Sequence, residues 1–388
     1  MQPREFLMIP GPTPVPDSVL EAVGRHPIGH RTKDFSKMLQ EAVDDLKWLG
    51  ETDNDVFVIT ASGTGAMEAA IANTVNQGDV VLSLVLGVFS ERWAKIAEAY
   101  GAQVERLSSN AGKAISVEAV RERLQADSKR SIKAVTITHN ETSTGVINDL
   151  RGIVEAVREH GALSIVDGVT SFGACPLPVS RWGIDVLVTG SQKALMLPPG
   201  LSFLFVSKQA WDAYARCHTP RFYFDFAKYR QSLEANTTPF TPNVSLVAGL
   251  NASLKLMRAE GKETIFSRHE SMKQAIRAGI TAMGLELFVS DESASPTITA
   301  ILPPPDITVD SIRKGLQERF AILVADGQDF LKGKIFRIGH MGYVFERDVL
   351  MTLSALEAVL IDLGYSLPSG KAISAAVAQL SQRAKVVL

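Results

Sequence analysis

The chain reads Ser164-Ile165-Val166-Asp167 and, further on, Gly190-Ser191-Gln192-Lys193, whose lysine stands 26 residues after that aspartate. Each motif closes a short, largely apolar run, residues 162–166 and 184–188, that we interpret as a buried strand. Side chains at the carboxyl ends of strands in one open α/β sheet lie where such sheets bind their ligands. The two motifs therefore predict an α/β fold with a site built around Asp167 and Lys193.

The chemistry of that site follows from where the lysine stands. After Lys193 come Pro198-Pro199-Gly200 and a further strand at residues 201–206, so no helix face solvates it. A lysine removed from water loses its proton easily and becomes an amine nucleophile that can form a Schiff base. Pyridoxal 5'-phosphate needs such a lysine and also a buried aspartate, which keeps the pyridine nitrogen protonated. We predict that cofactor, with Lys193 and Asp167 as catalytic residues; singly, each also fits a surface lysine or a turn-capping aspartate.

Composition restricts the partners and the compartment. The chain has 388 residues, 46% of them hydrophobic, which is enough for a large core and for two domains. Forty basic against 42 acidic residues give a net charge of −2, which argues against a nucleic-acid or membrane-surface partner. The two cysteines cannot form a disulfide framework or a cysteine-ligated cluster, so we predict no metal site. With no signal peptide recognised at the N-terminus, we expect a cytoplasmic protein.

The order of elements predicts a large and a small domain. Between residues 55 and 206, strand-like runs alternate with helical patterns, which predicts a mostly parallel sheet covered by helices. After about Pro242, long amphipathic segments precede short strands, which predicts a smaller α+β domain. For residues 371–387 we assign only packing or a subunit contact. The predicted units are an N-terminal arm at 1–20, a large cofactor-binding domain at 21–245 and a small C-terminal domain at 246–388.

The segment Ala61-Ser62-Gly63-Thr64-Gly65 stands between a predicted strand and a predicted helix. Glycines let the backbone approach an anion closely, and a helix N-terminus offers unpaired N–H groups. An ordinary tight turn explains the pattern equally well. No Gly-Lys-Ser/Thr follows and the dinucleotide fingerprint is incomplete, so a single phosphate fits better than a dinucleotide.

These motifs together resemble the class V aminotransferases of fold type I. The resemblance extends from about Met8 to about Leu363, and the most similar group is that of alanine–glyoxylate, serine–pyruvate and serine–glyoxylate aminotransferases. It implies a fold-type I transferase and transamination between a small L-amino acid, alanine or serine, and a 2-oxoacid, glyoxylate or pyruvate. The segments that carry the resemblance are Ile9-Pro10-Gly11-Pro12-Thr13-Pro14, Ser62-Gly63-Thr64-Gly65, Glu141-Thr142-Ser143-Thr144-Gly145, Val166-Asp167 and Gly190-Ser191-Gln192-Lys193-Ala194.

The resemblance also implies roles for single residues around the cofactor. Phe89 stands where the family has an aromatic ring stacked on the pyridine, although many members have Trp or Tyr there. Thr142 corresponds to the residue that hydrogen-bonds the ring hydroxyl, Asp167 to the partner of the ring nitrogen and Lys193 to the Schiff-base lysine. The residues implied for the phosphate are Ser62, Gly63, Thr64 and Gln192.

Further residues are implied for the substrate and for the subunit boundary. Arg337 corresponds to the clamp on the substrate α-carboxylate, a role that suits the bidentate fork of an arginine. Thr241 matches a family segment that reaches the phosphate of the neighbouring subunit, so we expect a homodimer with shared active sites. Gly29, His30 and Arg31 match a loop at the substrate mouth; His30 and Arg31 either bind a second substrate anion or are structural.

Other functions are weighed on the same residues. A phosphoserine aminotransferase that uses glutamate and 2-oxoglutarate is the main alternative, and a lyase of the same cofactor or a non-catalytic subunit is the other. A cysteine desulfurase needs a nucleophilic cysteine in the small domain, but Cys175 and Cys217 both precede it. A hydrogenase-type redox subunit needs thiolate ligands for its metal, which two isolated cysteines cannot supply.

Overall fold

The computed structural model describes residues 4–367 and 369–387, with side chains described as far as residue 381. The strands are β1 (Phe6–Leu7), β2 (Asp55–Ile59), β3 (Val80–Val85), β4 (Gln103–Ser108), β5 (Ile132–Thr138), β6 (Asn140–Glu141), β7 (Val146–Ile147), β8 (Leu163–Asp167), β9 (Val186–Gly190), β10 (Ser202–Val206), β11 (Ile298–Ile301), β12 (Ile322–Leu323), β13 (Ala325–Asp326) and β14 (Phe336–Gly339). The helices are α1 (Asp17–Val23), α2 (Lys33–Gly50), α3 (Gly63–Thr74), α4 (Val88–Ala99), α5 (Val117–Ala126), α6 (Leu150–His160), α7 (Val179–Trp182), α8 (Lys208–Arg216), α9 (Phe226–Glu234), α10 (Val244–Glu260), α11 (Lys262–Ala282), α12 (Val309–Phe320), α13 (Glu346–Asp362) and α14 (Lys371–Val387).

A seven-stranded sheet in the order β2-β10-β9-β8-β5-β3-β4 forms the centre of the molecule. Every neighbouring pair is parallel except the two pairs made by β10, which runs antiparallel to β2 and β9. Strands β8, β9 and β10 are buried along their whole length. Burial on both faces is typical of a mainly parallel sheet, and it explains why these strands are nearly continuous apolar runs. The predicted α/β architecture with a mostly parallel sheet is confirmed.

The register brings the ends of the strands to one edge of the sheet. Asp167 pairs with Thr138 on one side and with Val188 on the other. Gly190 pairs with Ser202, which in turn pairs with Ile59. The carboxyl ends of β5, β8 and β9 therefore lie side by side, and the end of β2 lies at the same edge, separated from β9 by the amino end of β10.

Helices on both faces bury the sheet. Helix α6 shows why the sequence folds in this way: Asp149 caps it by accepting a hydrogen bond from the Gly152 N–H at 3.0 Å. Its apolar residues Ile153, Val154 and Val157 recur at helical spacing and are buried in the core. Gly161 then ends the helix in the left-handed conformation that glycine adopts without strain.

A second core lies in the C-terminal part of the chain. It is formed by apolar residues of α11, α12, α13 and α14 against the sheet β11-β14-β13, and Met8 of the N-terminal segment belongs to it. Strand β1 pairs with β12, which joins the N-terminal segment to this second core. Helix α10 packs against α1 and α2 beside the first core. The predicted domain boundaries at residues 20 and 245 stay a prediction, and none of the described helices is long and apolar enough to cross a membrane.

Candidate active site

Loops at the carboxyl edge of the large sheet carry the predicted catalytic residues. Asp167 is the last residue of β8, and Lys193 follows β9 by three positions. Gly63 begins α3 just after β2, and Phe89 lies in the first turn of α4 just after β3. Thr142 follows β5 in the short hairpin of β6 and β7. Residues at or just after the carboxyl ends of β2, β3, β5, β8 and β9 thus meet at one edge of the sheet.

A cavity of about 450 Å³ opens at this edge. It is lined by four predicted site residues, Phe89, Thr142, Lys193 and Arg337. The opposite wall consists of residues 9–11 of the N-terminal segment and residues 323–328 of the C-terminal part. A volume of this size is typical of sites for small molecules and cofactors. A larger cavity, of about 1150 Å³, lies near the amino ends of β5, β8 and β9 and contains none of the predicted site residues.

The amine of Lys193 is withdrawn from water inside the cavity. Its Nζ donates a hydrogen bond to the Pro10 carbonyl oxygen at 2.5 Å. Residue 11 must be glycine for this approach, because a Cβ there would lie 2.6 Å from Nζ. Loss of hydration lowers the pKa of Lys193 to about 8; the charge of Asp167 opposes this shift, and the charges of Arg337 and Arg92 add to it. At neutral to mildly alkaline pH an appreciable fraction of this amine is neutral, which is the nucleophilic form.

Asp167 is 5% exposed, and its surroundings favour the protonated form. Burial raises the pKa of its carboxyl group to about 7. Its Oδ1 accepts a hydrogen bond from the Val169 N–H at 2.8 Å, which opposes the shift, as do the charges of Lys193 and Arg92. A carboxyl group held in this way binds a cationic N–H group strongly, since a partner charge would relieve the cost of burying it.

The N-terminus of α3 offers unpaired donors next to Asp167. Ser62 caps the helix by accepting from the Gly65 N–H at 3.4 Å. The backbone N–H groups of Gly63 and Thr64 have no acceptor among the described residues. Gly63 also lies against the loop after Asp167, because a Cβ on residue 63 would be 3.1 Å from Cγ2 of Val169. The geometry is that of a helix N-terminus that receives an anion.

Two more polar groups belong to this corner of the site. The side-chain oxygen of Gln192 is buried and has no hydrogen-bond partner within the described part of the chain. Arg92 donates from Nη1 to the Thr64 hydroxyl at 3.0 Å, and its guanidinium carbon lies 4.8 Å from the centre of the Phe89 ring. The sequence analysis missed Arg92. Its position three residues after Phe89 on α4, on the same helix face, is the signal that identifies it.

Arg337, on β14, is 4% exposed and points into the cavity from the C-terminal side. Its Nε and Nη2 donate to the Asp326 carbonyl oxygen at 2.9 and 2.6 Å, and its Nη1 donates to the Thr142 carbonyl oxygen at 2.8 Å. Burial lowers the pKa of Arg337 to about 10, so it remains a cation at neutral pH. The Asp326 and Thr142 carbonyl oxygens and the Gln328 side chain therefore hold this cation at the wall of the cavity, where its charge favours a carboxylate.

The residues expected at the subunit boundary lie elsewhere. Gly29, His30, Arg31 and Thr241 are not among the residues that line the Lys193 cavity. Arg31 is exposed and donates from Nη1 to the Thr237 hydroxyl and the Thr238 carbonyl oxygen, both at 2.6 Å. The loop that holds Arg31 is therefore fixed to the segment that contains the exposed Thr241.

Both cysteines are free thiols: Cys175 is half-buried and Cys217 is buried. Burial raises the pKa of the Cys175 thiol to about 12. Within residues 4–367 and 369–387 no group of three or more His, Cys, Asp or Glu side chains is arranged to hold a metal ion.

Comparison with known proteins gives relatives along nearly the whole chain. The "Soluble hydrogenase 42 kDa subunit" of Anabaena cylindrica is 49% identical, over 97% of this chain and 98% of that protein. The L-aspartate–glyoxylate aminotransferase of Paracoccus denitrificans is 37% identical, over 97% and 96% of the two chains. The serine–glyoxylate aminotransferase of Methylorubrum extorquens is 35% identical, over 98% and 96%.

Solved structures agree with these relatives. The ureidoglycine–glyoxylate aminotransferase of Bacillus subtilis superimposes with a TM-score of 0.93 at 33% identity, covering 98% of this chain and 99% of the other. The alanine–glyoxylate aminotransferase of Nostoc sp. gives 0.89 at 32% identity, covering 93% and 96%. Residues 6–342 match the family described as aminotransferase class-V. The chain belongs to the class V aminotransferases, which are pyridoxal-phosphate enzymes of fold type I.

Proposed function

We propose that this enzyme transfers an amino group between a small L-amino acid, serine or alanine, and glyoxylate or pyruvate. The observation that carries the proposal is that Lys193 and Arg337 line one cavity together with Phe89 and Thr142. A 2-amino acid needs a reactive amine near its Cα and a guanidinium group that binds its carboxylate, and both groups face this cavity. The names of the serine–glyoxylate and alanine–glyoxylate relatives support the choice of substrates.

The residues at the carboxyl edge fit pyridoxal phosphate. Unpaired N–H groups on Gly63 and Thr64 suit a phosphate at the start of α3, and we propose that the side-chain N–H₂ of Gln192 is a further donor to it. The other residues that we propose to hold the cofactor are Ser62, Phe89, Thr142, Asp167, Lys193 and Thr241. When bound, pyridoxal phosphate supplies an electron sink for the charge left at the substrate Cα.

The protein side chains do the rest of the chemistry. Arg337 binds the substrate carboxylate and so fixes which bond at Cα faces Lys193. The neutral amine of Lys193 takes the Cα proton of the amino acid and, in the reverse half-reaction, returns a proton to Cα of the new one. Asp167 stabilises a cationic N–H group placed beside it. Two half-reactions at one site give ping-pong kinetics. We place this reaction in the cytoplasm, because both thiols are free and suit a reducing compartment.

A dicarboxylic donor such as aspartate is the second candidate, and Arg313 favours it. Arg313 lines the same cavity from α12 and donates only its Nε, to the Val324 carbonyl oxygen at 3.2 Å. Its terminal N–H groups have no partner among the described residues, so they are available to a second carboxylate. In the sequence analysis His30 and Arg31 were the candidates for such an anion, and phosphoserine was the anionic alternative. The name of the L-aspartate–glyoxylate relative supports aspartate as a candidate donor.

The two candidates differ in a substrate-by-variant matrix. Arg337→Ala should lower kcat/KM for every donor and acceptor by about 30- to 1000-fold, since a bidentate charge-assisted contact is worth about 2–4 kcal/mol. Wild type should use serine or alanine with glyoxylate better than aspartate or phosphoserine. In that case Arg313→Ala should change kcat/KM by the same factor for all donors. Half-reactions followed by absorbance provide the measurement, with Arg181→Ala, an exposed arginine, as control.

A selective loss of aspartate turnover in Arg313→Ala, with wild type preferring aspartate, would establish the second candidate instead. Selective loss of phosphoserine turnover in Arg31→Ala would favour the phosphoserine alternative. Loss in Arg337→Ala confined to one substrate would refute the carboxylate clamp.

The pH dependence of cofactor attachment reports the state of Lys193. The rate at which apoprotein takes up pyridoxal phosphate should rise with pH and level off above about 8, because only the neutral amine reacts and its pKa is lowered to about 8. In Asp167→Asn the midpoint should move to lower pH, since the charge of Asp167 raises the pKa of Lys193. Stopped-flow absorbance measures both profiles, and Lys193→Ala should show no attachment. A rate that still climbs steeply at pH 10 would contradict the lowered pKa.

Asp167→Asn should fold normally and lose most of its activity. The amide keeps the shape of the side chain and can still accept from the Val169 N–H, but it has no charge to stabilise a cationic partner. We expect kcat to fall more than tenfold, which corresponds to at least about 1.4 kcal/mol. Circular dichroism of the apoprotein checks the fold. A kcat close to that of wild type would remove Asp167 from the catalytic residues.

A homodimer with shared sites is part of the proposal, with Thr241 reaching the partner's cofactor phosphate and residues 29–31 bordering the partner's substrate mouth. Co-expression of Lys193→Ala and Thr241→Asp chains should restore activity that neither variant has alone. Only the mixed dimer contains one site with both native residues, whereas the added carboxylate repels the phosphate in the parent variant. Sedimentation gives the oligomeric state. A fully active monomer, or mixed dimers as inactive as the parents, would count against a shared site.

A further inference from the structure

The carboxylate of Glu141 is fully buried beside the active-site cavity. Its Oε1 accepts from the N–H groups of Phe89 at 3.3 Å and Ser143 at 3.1 Å, and from the Ser143 hydroxyl at 2.6 Å. Its Oε2 accepts from the Ser90 N–H at 2.9 Å, and the Ser90 hydroxyl lies at the same distance. One buried carboxylate thus binds the first turn of α4 and the loop after β5. Negative charge at the N-terminus of a helix is favourable, because the unpaired N–H groups carry the positive end of the helix dipole.

The surrounding chain is shaped to admit this carboxylate. A Cβ on Gly87 would lie 2.6 Å from Cδ of Glu141 and 2.4 Å from Oγ of Ser143, so only glycine fits at residue 87. The Ser143 hydroxyl, which donates to Glu141, also accepts from the Val88 N–H at 3.0 Å. The contact between the two segments is therefore close-packed as well as hydrogen-bonded.

Both residues that flank this contact belong to the active site. Phe89 lines the cavity, and its own N–H donates to Glu141. Thr142 follows Glu141 directly, lines the same cavity and accepts from Arg337 through its carbonyl oxygen at 2.8 Å. A shift of Glu141 would therefore move the Phe89 ring and the backbone acceptor of Arg337 together.

We infer that Glu141 is a positioning residue, which fixes the ring of Phe89 against the cofactor and, through the Thr142 backbone, the fork of Arg337 against the substrate carboxylate. The inference rests on the roles of Phe89 and Arg337 in the proposed function. The charge of Glu141 also raises the pKa values of Asp167 and Arg337, in keeping with its place between them.

A second buried carboxylate provides a matched control. Glu357 is 6% exposed and accepts from the N–H groups of Gly370 and of Ala372 at the start of α14. It resembles Glu141 as a buried carboxylate at a helix N-terminus, but it belongs to the C-terminal core and does not line the cavity. Glu357→Gln therefore measures what the loss of a helix-capping charge does by itself.

The experiment compares Glu141→Gln with Glu357→Gln. In Glu141→Gln the new N–H₂ group faces N–H donors, so we expect apoprotein to bind pyridoxal phosphate about ten- to a hundredfold more weakly, the loss of one charged hydrogen-bond contact. The circular dichroism of the bound cofactor should change, because it reports the orientation of the ring. KM should rise for amino acids and oxoacids alike. Glu357→Gln should lower Tm and leave cofactor affinity and cofactor dichroism at wild-type values.

Equal cofactor affinity and dichroism in wild type and Glu141→Gln would overturn the inference, as would the same changes in Glu357→Gln. If Glu141→Gln does not fold, Ser143→Ala, which removes one hydroxyl contact to Glu141 and the acceptor of Val88, should show the same dichroism change to a smaller degree; an unchanged spectrum there would also overturn it. Cofactor affinity and dichroism need no turnover. A wild type that binds the cofactor but transaminates nothing would refute the proposed function while still testing Glu141.

Discussion

The withdrawal of the Lys193 amine from water is the constraint on which the rest of the site depends. A primary amine in water is protonated at neutral pH and is a poor nucleophile, whereas the amine in this cavity has its pKa lowered to about 8. Three neighbouring residues make room for the amine or compensate for its burial. Pro10 accepts its hydrogen bond, residue 11 has no Cβ, and Asp167 is the nearby carboxylate whose charge opposes the shift. Closer pairing with that carboxylate would restore the proton and remove the reactivity.

The mainly parallel sheet brings the residues around Lys193 together. Its register brings the carboxyl ends of β2, β5, β8 and β9 to one edge, so that the loop after each strand can place a residue there. Charges then alternate across that edge. Arg92 and Lys193 lower the pKa of Asp167, and Glu141 raises that of Arg337. Asp167, Lys193 and Arg337 each have a neighbour of opposite sign that opposes part of the pKa shift caused by burial.

Local patterns in the sequence were sufficient for the fold. The long amphipathic segments predicted after about Pro242 are found as the helices Val244–Glu260 and Lys262–Ala282, because their apolar spacing is that of a helix face. The strand predicted at 162–166 is Leu163–Asp167. The antiparallel direction of β10 could not be predicted, since strand direction depends on which edge the chain returns to and leaves no periodic signal. Residues 371–387 were expected to pack, and α14 contributes Ala372, Ala376 and Leu380 to the second core.

From the residue pattern alone, without the family resemblance, the site was predictable only where a residue follows its own strand. Asp167 and Lys193 were identified because each closes an apolar run, whereas the neighbours that set their pKa values come from distant segments. Pro10 meets Lys193 across 183 positions, and Thr142 meets Arg337 across 195. Glu141 lay within a motif recognised for its resemblance, yet its hydrogen bonds to α4 depend on the packing of residues 52 positions apart. Contacts of that kind are tertiary and have no local pattern.

The two walls of the cavity differ in how strongly a substitution on them would affect Lys193. The wall formed by the large sheet holds Lys193, Thr142 and Phe89, and Glu141 accepts hydrogen bonds from the backbone N–H groups of Phe89 and of Ser143, which follows Thr142. A substitution there disturbs the reactive amine and its surroundings together. The opposite wall consists of residues 9–11, 323–328 and Arg313, and its contacts with the large sheet are few: the Lys193 bond to Pro10 and the Arg337 bond to Thr142. Apart from Pro10 and Gly11, which contact the amine, no residue of this wall is among the charges that shift the pKa of Lys193. Selection among amino donors is therefore expected to reside on the wall that carries Arg313, while the chemistry common to all donors stays with the sheet.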